Sequence, residues 1–146
     1  MHFLMSGVIV LVLMNISVGI GQESSDQGEL IVVINGFDND EGVVKIALSD
    51  TQEDYEAHDE AFRTGESGIN QKRAVWIFEK IPFGEYAIKI YHDEDSDNEL
   101  NTNFLGMPTE EYGFSNNARG SFGPASWEDA KFLFKSVKDT LYIDVE

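Results

Sequence analysis

The sequence predicts an all-β fold, a β-sandwich of the immunoglobulin or transthyretin type with two long loops. Three observations support this prediction. Short runs rich in β-branched and aromatic residues recur along the chain, their side chains alternate between apolar and polar, and Gly, Pro and Asn turn signals separate them. The chain contains no cysteine, so the domain would be held by its core, or by its core and a metal, and not by disulfides.

Six runs have the composition of strands. In chain order they are residues 30–34, 42–48, 73–81, 85–93, 130–135 and 140–146. The last two are expected to pair with each other through a turn at 136–139. Alternation within the runs predicts an inter-sheet core of Val44, Ile46, Leu48, Tyr86, Ile88, Ile90, Phe132, Phe134, Leu141 and Ile143, opposite Lys45, Lys89, Lys131 and Lys135.

Two long connections interrupt this spacing. Residues 49–71 are acidic, and a short helix is expected at 55–63. The second connection, 93–129, is too long to lack structure inside a compact domain. We expect it to be ordered over a small satellite core, formed by Phe104, Leu105, Tyr112, Phe114, Phe122 and Trp127.

The six predicted strands also predict which loops share an end of the sandwich. Consecutive antiparallel connections alternate between the two ends, because each strand carries the chain across the sheet. Residues 35–42 and 80–84 are therefore expected at one end, and the two long connections at the other.

The N-terminal segment resembles a signal peptide. Residues 1–21 contain no charged side chain and too few apolar residues in a row for a membrane span, and Gly19 and Gly21 are small residues spaced for cleavage. The expected organisation is a signal peptide at 1–21, a polar linker at 22–27 and one domain at 28–146. An uncleaved anchor is the alternative. A cysteine-free exported domain suggests a periplasmic, cell-envelope or extracellular location.

The charge of the chain limits its partners. With 27 acidic and 10 basic residues, all beyond the predicted signal peptide, the net charge is -17. Such a surface repels nucleic acid and anionic lipid and attracts cations. The alternative explanation is that the charge serves solubility alone.

The stretch HDEDSDNELN, residues 92–101, has the spacing of a calcium loop. Carboxylates at positions 1, 3 and 5 of a tight turn supply hard oxygen ligands, and Asn98 stands at the sixth position, where a left-handed residue is needed. The predicted ligands are Asp93, Asp95, Asp97, Glu99 through its carbonyl, and Asn101. Phe104 replaces the bidentate Glu expected at the twelfth position, so the site is not an EF-hand.

Two questions stay open for this stretch. An acidic turn solvated by water is the alternative to a calcium site, and the last carboxylate would have to come from elsewhere. Its candidates are Asp50, Glu53 and Asp54 in the neighbouring connection, or Glu110 and Glu111 within the long loop. His92 is expected as a hydrogen-bonded residue at the core edge, and His58 as a solvated surface residue.

The segment 103–124 is unusual for a loop because it combines aromatic residues, Asn and Gly. Either its rings pack against the sandwich while Arg119 pairs with an acid, or it forms a recognition surface. The residues concerned are Tyr112, Phe114, Asn116, Asn117 and Arg119. No GxSxG, phosphate-binding or HExxH motif is present in the sequence.

The stretch HDEDSDNELNTNFLGMPTEEYGFSNNARGSFGPASWEDAKF, residues 92–132, resembles the signature of a bacterial family known as domain of unknown function 2141. The resemblance extends more loosely over residues 30–145, including NGFDNDEGVVKIAL and IPFGEYAIKIYHD. It implies an exported, signal-bearing, β-rich single domain, and it implies no particular activity.

These observations favour a non-catalytic exported module. Its long loop would be ordered by Ca²⁺ and would present a surface to a protein or a glycan. One alternative is a hydrolase of polysaccharide or peptide that acts through two carboxylates, one of them with a raised pKa. A passive structural protein of the cell envelope is the other.

Overall fold

The computed structural model describes residues 26–57 and 60–146. The predicted signal peptide and His58 lie outside these residues. The strands are β1 (Gln27–Asn35), β2 (Val43–Ser49), β3 (Arg63–Gly68), β4 (Arg73–Pro82), β5 (Gly84–Asp93), β6 (Tyr112–Phe114), β7 (Phe132–Phe134) and β8 (Lys138–Asp144), and the helices are α1 (Gln52–Glu56) and α2 (Trp127–Ala130). β1 thus begins at Gln27, the last residue of the predicted linker.

The strands form two packed sheets, which confirms the predicted all-β sandwich. The first sheet has the order β4-β1-β8, with β4 antiparallel and β8 parallel to β1. In the second sheet β2 lies between β3 and β5. The other edge of β5 pairs with β7 along its first residues and with β6 nearer its end. β5 is therefore the central strand that leads into the long connection.

The main core lies between the sheets and follows the predicted alternation. Eight of the ten predicted core residues are buried, and the partly buried Phe132 and Leu141 pack against them. Leu30, Val32 and Ile34 from β1 complete the other side. At about 25 cal/mol per Å² of apolar surface removed from water, burial of this kind is the main force that holds the two sheets together.

The predicted arrangement of the loops was wrong because one strand was missed. β3 has the sequence RTGESG, with no apolar side chain to mark it as a strand. An extra strand between 49 and 71 reverses the direction of every later strand. Val43 consequently pairs with Asp93, so that residues 36–42 lie beside the acidic stretch. The segment 49–62 lies at the opposite end, which excludes Asp50, Glu53 and Asp54 as neighbours of Asp93.

Two local predictions also need correction. The helix expected at 55–63 is α1 at Gln52–Glu56, where the Thr51 side chain accepts a hydrogen bond from Asp54 N–H and begins the helix one turn earlier. The last two strands do not pair with each other. β7 pairs with β5, and β8 pairs with β1, because the parallel register with β1 buries Ile143 in the main core.

A second core lies under the long connection, although its membership differs from the prediction. Its buried members are Tyr55, Ala87, Phe114, Ala118, Ala125, Trp127 and Ala130, with Tyr112 partly buried against them. Phe104, Leu105 and Phe122, which were expected there, are 95%, 72% and 105% exposed. Tyr55 from α1 takes their place. Its hydroxyl donates to Ala125 O at 2.9 Å, and its ring meets that of Trp127 edge to face.

Candidate functional site

The acidic loop, defined as residues 93–101, begins at the last residue of β5. Carboxylate oxygens of Asp93, Asp95 and Asp97 lie within 4.8 Å of one another. Asp93 is fully buried, and the other two are exposed.

Hydrogen bonds to its own backbone hold the acidic loop in a tight turn. Asp97 N–H and Asn98 N–H donate to the two carboxylate oxygens of Asp93 at 3.0 and 3.1 Å, and Glu99 N–H donates to Asp97. Asn98 has φ 68°, which confirms the left-handed residue predicted at the sixth position. The side chain of Asn101 donates to Asp95 at 3.0 Å. The turn therefore holds carboxylate oxygens of the three aspartates close to one another.

Among residues 26–57 and 60–146, the cation that borders this cluster is Lys45. Lys45 Nζ lies 3.8 Å from Asp93 Oδ2 and donates to Asn98 Oδ1 at 2.7 Å. Lys45 also forms an ion pair with Glu66. The hydrogen bond to Glu66 is the main cause of a raised pKa for Lys45, to which Asp93 also contributes, so the side chain stays charged at neutral pH. One positive charge thus faces three carboxylates.

Glu110 closes the acidic loop from its far side. The side chain is buried, and its two carboxylate oxygens accept from Glu94 N–H and Asn101 N–H, each at 2.9 Å. Glu110 is one of the sequence-predicted candidates for the missing ligand. It returns to the acidic loop as that hypothesis requires, but it does not belong to the converging group of Asp93, Asp95 and Asp97. Its contacts are those of a clamp that joins the two ends of the loop.

The loop 36–42 packs against the acidic loop, contrary to the sequence prediction. Gly42 adopts φ +62°, and a Cβ there would lie 2.1 Å from Asp93 O, so only glycine permits this approach. The Asn39 side chain donates to Glu94 at 2.8 Å. Asp40 instead accepts from Gln71 N–H and Lys72 N–H, which makes it a cap of the β3–β4 turn.

His92 joins three segments beneath the acidic loop. Its Nδ1 lies 2.8 Å from Glu111 Oε2 and its Nε2 lies 2.7 Å from Glu41 O. Both partners are acceptors, so both contacts are hydrogen bonds when the ring carries two protons. Burial would lower the pKa of His92, but the bonds to Glu41 O and Glu111 outweigh burial and raise it. His92 is thus the hydrogen-bonded core-edge residue that its position in β5 predicts.

The carboxylates beside the acidic loop line an open cleft of about 380 Å³. Its acids include Glu94, Glu110 and Glu111. Burial would raise the pKa of Glu111, but hydrogen bonds from Asp38 N–H and from His92 outweigh burial and lower it. A carboxyl with a lowered pKa is a poor general acid. Glu94 and Glu110 also accept structural hydrogen bonds, so these three acids hold neighbouring segments of the fold together.

The polar residues predicted after β6 order the chain around the second core. Asn116 donates to Asp129 O and Lys131 O, and Asn117 accepts from Asp144 N–H. Arg119 forms an ion pair with Glu146, which confirms that it pairs with an acid. The polar groups that a recognition surface would present to a partner are therefore engaged in contacts within the protein. Tyr112 and Phe114 pack in the second core beneath them.

These features define a class of protein, a β-sandwich with an acidic loop clamped at one end. Residues 32–141 match the model of the bacterial family described as uncharacterized protein conserved in bacteria, domain of unknown function 2141. The match covers most of the chain and confirms the resemblance found in the sequence, so the protein belongs to this family.

The other comparisons add no relative, since neither a curated protein nor a solved structure matches the chain. Within residues 26–57 and 60–146, the helices are too short and too polar to cross a membrane.

Proposed function

We propose that the protein is an exported, non-catalytic binding module whose acidic loop is ordered by Ca²⁺. The observation that carries the proposal is the convergence of Asp93, Asp95 and Asp97 within 4.8 Å, at the spacing of a calcium loop. The proposed partner is a protein or a glycan, and the proposed location is the periplasm, the cell envelope or the extracellular space.

Electrostatics supports a cation at this cluster. Three carboxylates this close repel one another, and the single charge of Lys45 offsets the repulsion only in part. Asp93 is buried, which weakens the screening of its charge by solvent. A divalent ion would relieve the repulsion, and carboxylate, carbonyl and amide oxygens are the ligands that Ca²⁺ prefers.

Thermal unfolding tests the proposal directly. A ligand that binds only the folded state stabilises it by about 2.7 kcal/mol when its free concentration is about 100 times Kd. For a domain of this size, we expect Ca²⁺ to raise Tm by roughly 10 °C and a chelator to reverse the change. A Tm that responds to neither would remove the ion from the function of this protein.

Two charge-changing variants at this cluster should change the affinity for Ca²⁺ in opposite directions. Asp95→Asn removes a ligand and should abolish calcium binding in isothermal titration calorimetry. Lys45→Gln removes the competing positive charge and should tighten binding several-fold. Glu79→Gln is the matched control, because Glu79 is an exposed acid of β4 outside the acidic loop. Identical heats for all three variants would show that Ca²⁺ binds elsewhere or only to the general surface charge.

A further inference from the structure

A short hairpin follows the acidic loop. Thr109 N–H donates to Asn101 O at 2.8 Å, and Thr102 and Pro108 form an antiparallel bridge. We call residues 101–109 the apolar hairpin. Its base is attached to the acidic loop, since Asn101 contacts both Asp95 and Glu110.

The tip of the apolar hairpin is held by its own hydrogen bonds. Asn103 Oδ1 accepts from Leu105 N–H and Met107 N–H, while Asn103 N–H donates to Met107 O at 2.8 Å. Gly106, with φ +76°, makes the turn. The tip nevertheless presents Phe104, Leu105 and Met107 to solvent at 95%, 72% and 58% exposure. Apolar residues held in a fixed turn lose little conformational freedom on binding, which favours association.

Acidic side chains outnumber basic ones around the base of this tip, where Lys45 pairs with Glu66 and borders Asp93. Residues 93–111 contain seven Asp and Glu residues and no Lys or Arg, and none of the acids lies within the apolar hairpin itself. An apolar tip that rises from an acidic base is complementary to an apolar surface bordered by positive charge. Clustered exposed apolar residues of this kind mark interaction sites on soluble domains.

We infer that the apolar hairpin docks onto a polypeptide segment that combines apolar residues with Lys or Arg, such as a basic amphipathic helix. Phe104 and Leu105 are the apolar anchors, and the exposed carboxylates of Asp95, Asp97 and Glu99 lie beside the basic residues of the partner. The inference deepens the proposed role as a binding module and rests on that role. An anionic bilayer is a poorer partner, because the exposed carboxylates of the acidic loop repel it.

A synthetic amphipathic helix of Leu and Lys, labelled for fluorescence anisotropy, tests the inference with the full chain. We expect it to bind. A Leu and Glu helix and a Ser and Lys peptide should each bind at least about tenfold more weakly, since each lacks one half of the proposed recognition. Equal binding of the Leu and Lys helix and the Ser and Lys peptide would overturn the inference by showing attraction of charge alone.

A matched pair of double variants locates the contact. Phe104→Ser with Leu105→Ser should weaken binding of the Leu and Lys helix by at least about tenfold, as for anchor residues of an interface. Leu133→Ser with Val137→Ser removes two exposed apolar residues at the opposite end of the sandwich and should leave binding unchanged. Equal losses in both double variants would overturn the inference. Binding to phosphatidylcholine and phosphatidylglycerol vesicles that depends on Phe104, without peptide binding, would also overturn it in favour of a membrane.

Titrations in Ca²⁺ and in chelator separate this inference from the calcium proposal. Peptide binding that depends on Phe104 and Leu105 supports the inference even if Tm ignores Ca²⁺. A Tm that rises with Ca²⁺ while neither double variant changes peptide binding overturns the inference and leaves the calcium proposal in place.

Discussion

The long connection between β5 and β7 contains two regions that are stabilised in different ways. The first, residues 94–111, is held mainly by hydrogen bonds between side-chain oxygens and backbone N–H groups, and it leaves Phe104 and Leu105 exposed. The second, residues 112–131, buries Phe114 and Trp127 in the second core. Neighbouring stretches of one connection therefore differ in their main stabilising force, and they should respond differently to mutation, pH and ions.

The largest effect on stability is expected for Trp127→Ala in the second region. Trp127 is 8% exposed and stacks edge to face with Tyr55. Its removal loses apolar burial and leaves a cavity, so we expect a loss of about 3–5 kcal/mol in the free energy of unfolding. Urea denaturation measures the loss. A change near zero would mean that the second core does not hold this region.

Glu110→Ala probes the hydrogen-bonded region and should have an intermediate effect. The variant leaves Glu94 N–H and Asn101 N–H without their acceptor, which should cost about 1–3 kcal/mol. Urea denaturation in chelator gives this value without a contribution from Ca²⁺, with the exposed Glu79→Ala as control. Equal stability of the two variants would show that the clamp contributes nothing.

A change of pH should have a smaller effect on the free energy of unfolding, through the titration of His92 and Glu111. The folded pKa of His92 is raised, so its stabilisation is complete below the unfolded value of 6.5 and is lost as pH rises through the folded pKa. The folded pKa of Glu111 is lowered, so its stabilisation is complete above 4.5 and is lost as pH falls through the folded pKa. The free energy of unfolding should therefore be greatest between pH 4.5 and pH 6.5.

Urea unfolding across this pH range checks the prediction, with Glu111→Gln as the comparison. The variant keeps the shape of the side chain but removes the charge that supports protonated His92, so the decline on the alkaline side should begin at lower pH. Superimposable pH profiles for the two proteins would contradict a stabilising pair.

The smallest effect is expected for Phe104→Ala. The side chain is 95% exposed, so its removal should change the free energy of unfolding by no more than about 0.5 kcal/mol. A loss comparable to that of Trp127→Ala would mean that Phe104 is buried in solution, which would remove the apolar anchor from the docking surface. Urea denaturation of both variants under the same conditions makes this comparison.

The sequence by itself determined the sandwich, most of the main core and the acidic turn. Alternating side chains in β2 and β5 identify the buried face, because a strand places successive residues on opposite sides of the sheet. The spacing of Asp93, Asp95 and Asp97, with Asn98 after them, is likewise local. Such features depend on neighbours within a few residues, so they can be read without knowledge of the fold.

Tertiary structure decided which segments meet. β3 has no apolar residue of its own and is a strand because β2 offers it a hydrogen-bonding edge. That one strand reverses the later connections and brings Glu41 and Asn39 to the acidic loop. Tyr55 takes the core position that the sequence suggested for Phe104, although Ala125, its hydrogen-bond acceptor, is 70 residues away. Distant segments compete for buried positions and for unpaired strand edges, and this competition decides such contacts. The local periodicity of the sequence does not predict its outcome.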